Sequence, residues 1–365
     1  MGKTFAITGA NGFIAAHRTP RDAAHARARA ATPEICLHSP PPPPNAPLAS
    51  AVIKHLVAEG HSVVGAVRDA KVSGENVAAL GAKVVEVGSL ADAAALQAAF
   101  AGVDGVFHMA AVHPQYGFEA GDRDAILKTA VDGTTSVIAA AKAAGVGRIV
   151  VTSSLAAIEC GNDEGVLTEA TWSRPEVYDS SEKLTKTQWA THYTYVKSKV
   201  EQEKAAVAFA AEHGLDLRVV VPGNLCVGPI ASKEINGTMT RLKDIVSGTN
   251  TLKGAADLAI VHVNDVVEAH AKCMTDDAAK GRYLVAGDMV QIEEVFSSLK
   301  QMYPQLNVAA LEEQDIASGV PGAARKIDSS RTTAELGLNL KPFTATLKDA
   351  VDSLIDHKLV VATAA

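Results

Sequence analysis

Short apolar segments alternate with helical segments along most of this chain, and this alternation restricts the fold more than any other feature. The first apolar segment, residues 3–8, runs into a glycine-containing turn and then a helix start. Further strands are predicted at residues 62–67, 83–87, 104–109, 147–152 and 216–221. Helices are predicted at residues 91–101, 123–145, 196–213 and 264–275. Because a helix between two strands returns the chain across the sheet, such strands pair in parallel. We therefore predict an α/β fold with a doubly wound parallel sheet.

A proline-rich segment interrupts the first helix. The helical pattern that opens at Phe13 stops after Ala16, and five consecutive prolines follow a tract rich in Arg, Ala and His. Serial prolines block helix and strand and favour an exposed polyproline II conformation. The amphipathic pattern resumes at Ser50, so residues 16–49 are predicted to be a looped-out, disordered insertion within one helix. A tolerated insertion or a retained intron is the simpler interpretation, and a docking segment for a proline-binding partner is the alternative.

Composition and charge exclude several classes of protein. The net charge of −7 argues against nucleic acid as a partner, because phosphate binding needs a basic surface. No apolar run reaches the roughly 18–20 residues that span a bilayer, and no long apolar leader opens the chain, so a cytoplasmic protein without membrane association is expected. The four cysteines are widely spaced and form no CxxC pair, so neither a disulfide framework nor a metal site is predicted.

A phosphate-binding turn is predicted where the first strand ends. The residues from Thr8 to Ala15 read TGANGFIA, a GxxGxxA pattern between a strand and a helix. Gly9 allows the tight turn, Gly12 lets the backbone approach a pyrophosphate, and the amides of the helix start hold the anion. An ordinary strand-to-helix turn is the alternative, but the position at the first strand favours a Rossmann-type dinucleotide site. The residues expected to contact the cofactor here are Gly9, Ala10, Asn11, Gly12, Phe13 and Ile14.

The second strand ends in Val67-Arg68-Asp69, where ribose recognition is expected. An acidic side chain at this place accepts from the 2′-hydroxyl of NAD, whereas an arginine suits the 2′-phosphate of NADP. Arg68 therefore favours NADP(H), while the neighbouring Asp69 leaves NAD(H) open. Three further strand ends are expected to line the cofactor in the doubly wound order. Their residues are Ser89, Leu90, Met109, Ala110, Ala111 and Thr152.

A hydroxyl run and two overlapping YxxxK pairs form a candidate catalytic set. The hydroxyl run ends at Ser154, and downstream lie Tyr193 with Lys197 and Tyr195 with Lys199. Residues four apart share one face of a helix, so each lysine sits beside its tyrosine. The ammonium favours phenolate and draws a tyrosine pKa of about 10 toward working pH. Such a tyrosine can exchange a proton with a carbonyl or alcohol oxygen that a serine hydroxyl holds, while hydride moves at the carbon.

Several segments carry a likeness to one enzyme group. As they stand in this sequence, they are TGANGFIA, AVRD, GVDGVFHMAA, KTAVDGTTSVIAAAK, RIVVTSSLAAI, YVKSKVEQE, VVPGNLCVGP, VHVNDVVEAHAKCM and GRYLVAGD. With them the chain resembles the extended short-chain dehydrogenase/reductase superfamily, also called the NAD(P)-dependent epimerase/dehydratase superfamily. Within it, the chain is similar to the dihydroflavonol reductase and cinnamoyl-CoA reductase group. The resemblance covers nearly the whole chain apart from residues 16–49.

The resemblance implies roles for individual residues. The family's pattern of tyrosine, two residues, serine and lysine fits Tyr195 and Lys199, and its serine is the last of the hydroxyl run, Ser154, with Ser153 as the fallback. Both candidate lysines have a glutamate four positions on, as the family's lysine usually does. Lys199 is implied to bind the nicotinamide ribose. The residues implied to contact the nicotinamide are Pro222 and Leu225. One departure is Ser89, where family members commonly carry aspartate.

Together these features predict an NADP-dependent oxidoreductase. It would reduce an aldehyde or ketone carbonyl, dihydroflavonol-like or acyl-CoA-like, to an alcohol, or catalyse the reverse, by Ser/Tyr/Lys acid–base catalysis. A nucleotide-sugar epimerase or dehydratase, a 3β-hydroxysteroid dehydrogenase-like enzyme and a non-catalytic nucleotide-binding scaffold are the alternatives. Residues 1–221 are predicted to form the NADP-binding domain. Residues 222–365 are predicted to form mainly a substrate-binding lobe, with some segments returning to the first domain. The expected partner is a small-molecule carbonyl or alcohol substrate, bound by a monomer or homodimer.

A few polar residues have both a structural and a functional interpretation. His262 and His270 are predicted to cap and pack a helix rather than to bind metal. His108, within the fourth strand, is predicted to make structural hydrogen bonds. Glu159 would either shape substrate specificity or cap a loop, and Trp172 would either line a pocket or pack in the core.

Overall fold

Strands and helices alternate through the computed structural model, which describes residues 2–10, 46–111, 123–178, 193–230, 235, 237–252, 255–287, 289–312 and 325–361. Within these residues the strands are β1 Thr4–Thr8, β2 Ser62–Val67, β3 Lys83–Glu86, β4 Gly105–His108, β5 Arg148–Thr152, β6 Gly165–Leu167, β7 Asp216–Pro222, β8 Leu225–Val227, β9 Asp257–His262, β10 Gly281–Val285, β11 Met289–Gln291 and β12 Arg325–Ile327. The helices are α1 Ala46–Ala58, α2 Ala70–Ala79, α3 Ala93–Ala99, α4 Arg123–Ala143, α5 Thr194–Glu212, α6 Gly237–Val246, α7 Val263–Thr275, α8 Ile292–Met302, α9 Ser330–Leu336 and α10 Phe343–Asp356. Among these helices, none has the length and apolar character needed to cross a bilayer.

Seven strands form one parallel sheet at the centre of the molecule. Their order is β10-β7-β5-β4-β1-β2-β3, and each neighbouring pair runs parallel. The strand order reverses at β1, which has β2 on one side and β4 on the other. Thr8 pairs with His108, so the carboxyl ends of β1 and β4 meet at the place where doubly wound sheets bind ligands. The predicted α/β fold with a doubly wound parallel sheet is confirmed.

Apolar layers cover both faces of this sheet. In β1, Phe5 and Ile7 enter one buried cluster and Ala6 enters the other. In β5, Val150 enters the first cluster and Val151 the second. This alternation follows from the two-residue period of a strand, and burial on both faces explains why the strands are continuously apolar. This packing fixes the position of each strand and therefore the position of the residues that follow its carboxyl end.

Helix α1 begins at Ala46, earlier than the predicted start at Ser50. Leu48 and Val52, four residues apart on one face, are buried in the same apolar cluster as β1, and the helix packs against α7. The predicted boundary is therefore corrected, because burial of Leu48 extends the apolar face of the helix toward its amino end. Residues 16–45 of the predicted insertion lie outside the described residues.

A third apolar cluster lies in the carboxyl-terminal half of the chain. It joins the three-stranded sheet β11-β9-β8 to helices α6, α8 and α10. Strand β10 and helix α7, from the same half of the sequence, pack instead with the central sheet. The assignment of residues 1–221 to cofactor binding and of residues 222–365 mainly to substrate binding stays a prediction, because packing alone does not say what each part binds.

Candidate active site

The two candidate serines after β5 have different partners. The Ser153 hydroxyl donates to the carboxylate of Glu203. Ser154 caps the short 3-10 turn that follows it, where its Oγ accepts from the Ala156 amide at 3.2 Å. Ser154 is also the serine that contacts the predicted tyrosine, since the Tyr195 hydroxyl donates to its Oγ at 3.4 Å. The long distance marks a weak contact that a bound oxygen atom could replace.

The structure separates the two overlapping tyrosine–lysine pairs at the start of α5. Tyr193 is 1% exposed, and the guanidinium of Arg123 covers its ring at 4.2 Å from the ring centre. The ammonium of Lys197 lies 6.0 Å from the same ring. Tyr195 instead faces Ser154, so it is the tyrosine that the fold brings to the end of β5.

Burial has the largest effect on the pKa of Tyr195. Removal of the phenol from water raises its pKa, and the hydrogen bond with Ser154 and the positive charge of Arg241 oppose that change without cancelling it. The negative charge of Glu159 raises the pKa further. The predicted lowering of this pKa is therefore wrong for the protein by itself. Desolvation outweighs nearby positive charge, and the phenol is held protonated, as a proton donor requires.

Lys199 supplies a buried cationic group on the same helix. Burial lowers the pKa of its ammonium to about 8, while the charge of Glu203 opposes the change. The side chain is 2% exposed, and no hydrogen-bond partner for its Nζ is present among the described residues. A buried ammonium without an acceptor is strongly unfavourable. The site therefore fits a ligand that brings hydroxyl oxygens to this nitrogen, as a nicotinamide ribose does.

The turn after β1 passes unusually close to the end of β4. Gly9 has a φ of +75°, and a Cβ at this position would lie 2.6 Å from the Ala110 nitrogen and 2.7 Å from its Cα. Glycine is required here both for the backbone conformation and for this approach. A close glycine turn at the carboxyl edge of the sheet fits a pyrophosphate. The other predicted contacts in this turn are Ala10, which is buried, and Asn11, Gly12, Phe13 and Ile14, which lie outside the described residues.

The two charged residues after β2 have different environments. The Asp69 carboxylate caps helix α2 by accepting from the Lys71 amide at 2.8 Å. The next amide, that of Ala70, donates to Glu86 at 2.9 Å. Arg68 is partly buried, and this burial lowers its pKa while the charge of Asp69 opposes the change. The Asp69 carboxylate, the feature that favours NAD(H) as an alternative cofactor, is thus engaged as a cap at the amino end of a helix.

The remaining predicted cofactor contacts lie along the carboxyl edge of the sheet. Leu90 follows β3; Met109, Ala110 and Ala111 follow β4 and are buried; Pro222 ends β7, and Leu225 begins β8. Ser89 and Thr152 have partners within the protein: Ser89 Oγ accepts from the Ala91 amide at 3.1 Å, and Thr152 Oγ1 lies 2.8 Å from Nε2 of His270. The contact of each of these residues with a cofactor stays a prediction.

The histidines have the structural roles predicted for them. His108 lies between two hydroxyls, with Nδ1 2.8 Å from Thr8 Oγ1 and Nε2 3.0 Å from Thr134 Oγ1, and burial lowers its pKa to about 3. His262 caps α7 by accepting from the Asn264 amide at 3.1 Å. The His108 ring thus joins β1 to α4, and the His262 ring caps the start of α7.

Sequence reasoning missed a polar cluster between the loop after β5 and the carboxyl-terminal half. Asn224 Nδ2 donates to Glu159 at 3.3 Å, and Nη1 of Arg325 lies 3.9 Å from the same carboxylate. Arg325 also pairs with Asp257. Burial raises the pKa of Glu159, while Arg325 opposes the change. No local pattern indicates these contacts, because Glu159 and Asn224 are 65 residues apart. The choice between the two roles left open for Glu159 stays open.

Fold and site together define a class: a dinucleotide-binding α/β protein with a tyrosine beside a serine and a buried lysine on the same helix as the tyrosine. The chain belongs to the NAD dependent epimerase/dehydratase family, whose model matches residues 48–287. It is 32% identical to cinnamoyl-CoA reductase 1 of Oryza sativa subsp. japonica, over 83% of this chain and 86% of the relative. It is 30% identical to dihydroflavonol 4-reductase of Zea mays, over 73% of this chain and 71% of the relative.

A solved structure shows the same fold. The yeast methylglyoxal/isovaleraldehyde reductase complexed with NADPH matches 98% of this chain and 100% of its own, with a TM-score of 0.72 and 19% identity. The predicted membership of the dihydroflavonol and cinnamoyl-CoA reductase group is confirmed, and the predicted nicotinamide dinucleotide is confirmed at the level of the family. The matched span begins at residue 48, so the match does not cover the Gly9 turn.

Proposed function

We propose that this protein is an NADP-dependent reductase that converts an aldehyde or ketone carbonyl to an alcohol, or catalyses the reverse. The observation that carries the proposal is the contact of Tyr195 with Ser154 on the helix that also holds the buried Lys199. The names of the relatives support an acyl-CoA-like or dihydroflavonol-like substrate. In this proposal the carboxyl-terminal half, from residue 222 onward, forms the substrate-binding surface.

Each side chain of the set has its own task in the proposed reaction. Tyr195 keeps its proton because its pKa is raised, and it donates that proton to the carbonyl oxygen. The Ser154 hydroxyl holds the same oxygen beside the phenol. Lys199 binds the ribose, and its positive charge stabilises the phenolate that remains after proton transfer. A bound nicotinamide supplies the hydride in reduction and accepts it in oxidation.

The proposed activity has a direct test. The purified protein is expected to consume NADPH in the presence of at least one member of a panel of aldehydes, ketones, hydroxycinnamoyl-CoA thioesters and dihydroflavonols. Absorbance at the NADPH band measures the rate, and product analysis should find the alcohol or, where a thioester is the hydride acceptor, the aldehyde together with one equivalent of free CoA thiol. Consumption that proceeds equally without added carbonyl compound, or without an intact Tyr195, would contradict the proposal.

Arg68 is proposed to set the preference for NADP over NAD. Because Asp69 is engaged as a helix cap, the charge of Arg68 is the feature of this strand end that suits a 2′-phosphate. Arg68→Ala is expected to lower kcat/KM for NADPH by about 10–100-fold, the loss of one charged hydrogen bond, and to change kcat/KM for NADH far less. Steady-state kinetics with both cofactors measures the ratio.

Lys71→Ala is the matched control for Arg68, because it removes a neighbouring exposed positive charge on α2. The control should leave the preference between the two cofactors unchanged. Equal losses with NADPH and NADH in Arg68→Ala would remove Arg68 from the ribose site.

A further inference from the structure

One buried ion pair, between Glu203 and Arg282, has no direct part in the proposed reaction. Glu203, one helical turn after Lys199 on α5, is 1% exposed. Arg282, on strand β10, has its Nε 2.5 Å from Oε1 of Glu203 and donates from Nη2 to Oε2 at 3.1 Å. The Ser153 hydroxyl donates to the same carboxylate. Oε2 of this buried carboxylate thus accepts from Ser153, just after β5, and from Arg282 on β10, while Oε1 lies in ion-pair contact with Arg282.

Arg282 is itself held in place on several sides. Its Nη1 donates to the carbonyl oxygens of Glu169 at 3.0 Å and Thr171 at 2.6 Å. Its guanidinium stacks on Trp172, at 4.0 Å from the ring centre. The tryptophan that was left open as a pocket or core residue therefore supports this arginine. A buried ion pair is tolerated when its groups find partners: Glu203 Oε2 and both Nη atoms of Arg282 have hydrogen bonds, whereas Glu203 Oε1 and Arg282 Nε meet as an ion pair without one.

The negative charge of Glu203 affects the pKa of Lys199. Burial lowers the pKa of the Lys199 ammonium, and Glu203 opposes that change. Glu203 lies four residues after Lys199 on α5, so the two buried side chains share one face of the helix. Loss of Arg282 would free the Glu203 carboxylate to move away from the ammonium that its charge supports.

We propose that Arg282 is a positioning residue of the active site: with Ser153, it fixes the Glu203 carboxylate on the face of α5 that carries Lys199, and so holds a negative charge near the lysine. The inference rests on the proposed reductase function, because it is through Lys199 that Arg282 would act. Arg282 is not a catalytic residue in this account, since its contacts are with Glu203 and with the segment from Glu169 to Trp172.

The pH dependence of kcat/KM for NADPH tests the inference in the full-length protein, because this parameter reports on groups of the free enzyme. In the parent it is expected to decline above about pH 8, where Lys199 loses its proton. Because Glu203 raises this pKa, loss of its charge or of its position should move the decline to lower pH. The expected shift in Arg282→Met and Glu203→Gln is about one pH unit, which lowers kcat/KM at pH 8 by about fivefold. Arg282→Lys keeps a cation and should stay closer to the parent.

Arg331→Met is the matched control. Arg331 donates to the carbonyl oxygen of Arg282 at 2.8 Å and stacks on Tyr283 at 4.7 Å, so its loss disturbs β10 without removing a partner of Glu203. An equal shift in Arg331→Met would overturn the inference. So would an unchanged pH profile in both Arg282→Met and Glu203→Gln. If Arg282→Met does not fold, the pH profiles of Glu203→Gln and Arg282→Lys are compared with that of the parent. An unchanged profile in Glu203→Gln would then overturn the inference.

A second measurement separates this inference from the proposed function. NADPH affinity, followed by fluorescence over the same pH range, reports on Lys199 without turnover, and the same displacement toward lower pH is expected in Arg282→Met. An unmoved affinity profile would overturn the inference even if no substrate is found. Full activity of a Tyr195→Phe variant would instead contradict the proposed function, and would leave the affinity profile as the test of Arg282.

Discussion

Replacement of Tyr195 by phenylalanine is expected to lower kcat for carbonyl reduction by about 10²–10⁴-fold, the usual contribution of a general acid. The variant keeps the ring and loses the hydroxyl that donates to Ser154 at 3.4 Å. NADPH affinity should change little, because Lys199 and the Gly9 turn remain intact. Stopped-flow or steady-state NADPH consumption measures the rate, and a fluorescence titration measures cofactor binding.

Tyr193→Phe is the matched control for this variant. It removes a hydroxyl from the neighbouring YxxxK pair and keeps the ring that Arg123 covers. Its kcat should stay within a few-fold of the parent, as expected for a tyrosine that does not take part in proton transfer. A large loss in Tyr193→Phe with little loss in Tyr195→Phe would reverse the assignment of the two overlapping pairs.

Replacement of Gly9 by alanine is expected to cost about 2–4 kcal/mol in the free energy of unfolding and to abolish measurable NADPH binding. The added Cβ would meet the backbone of Ala110 at 2.6 Å, and the buried backbone that follows a central strand cannot move aside as a flexible side chain can. The φ of +75° adds a cost of its own for a residue with a Cβ. Chemical denaturation measures stability, and a fluorescence titration measures binding.

Gly60→Ala is the matched control for Gly9. It has a similar φ of +81°, but a Cβ there would meet nothing within 4 Å. This variant should lose only about 1 kcal/mol and bind NADPH as the parent does. If Gly9→Ala behaved like Gly60→Ala in both measurements, the close approach of the turn to β4 would have no part in cofactor binding.

The regular elements were predictable because burial on both faces leaves a clear pattern. Continuous apolar segments such as the one from Ile149 to Val151 are short enough to be strands, and the helices between them show their own period. The start of α1 was placed too late, because the prolines that precede Ala46 hid the contribution of Leu48 to its apolar face. Element boundaries depend on which side chains find a core, and a local pattern does not contain that information.

The choice of Tyr195 over Tyr193 came from the family resemblance, since both pairs have the same spacing, and the structure brings the chosen tyrosine to Ser154. The direction of its pKa shift was predicted wrongly. A neighbouring lysine in sequence indicates positive charge, but the extent of desolvation depends on how completely the assembled chain covers the phenol. In Tyr195 that desolvation is the larger effect.

By itself, the sequence determined the parallel sheet, the glycine turn at its first strand and the tyrosine–lysine spacing, since each depends on residues close together in the chain. Only the tertiary structure decided which serine meets Tyr195, and only it joined Arg282 to Glu203 across 79 residues. The physical reason is the distance along the chain over which each kind of interaction acts. Backbone geometry and helix periodicity act over a few residues, whereas burial and charge pairing depend on every segment that folding brings to the same place.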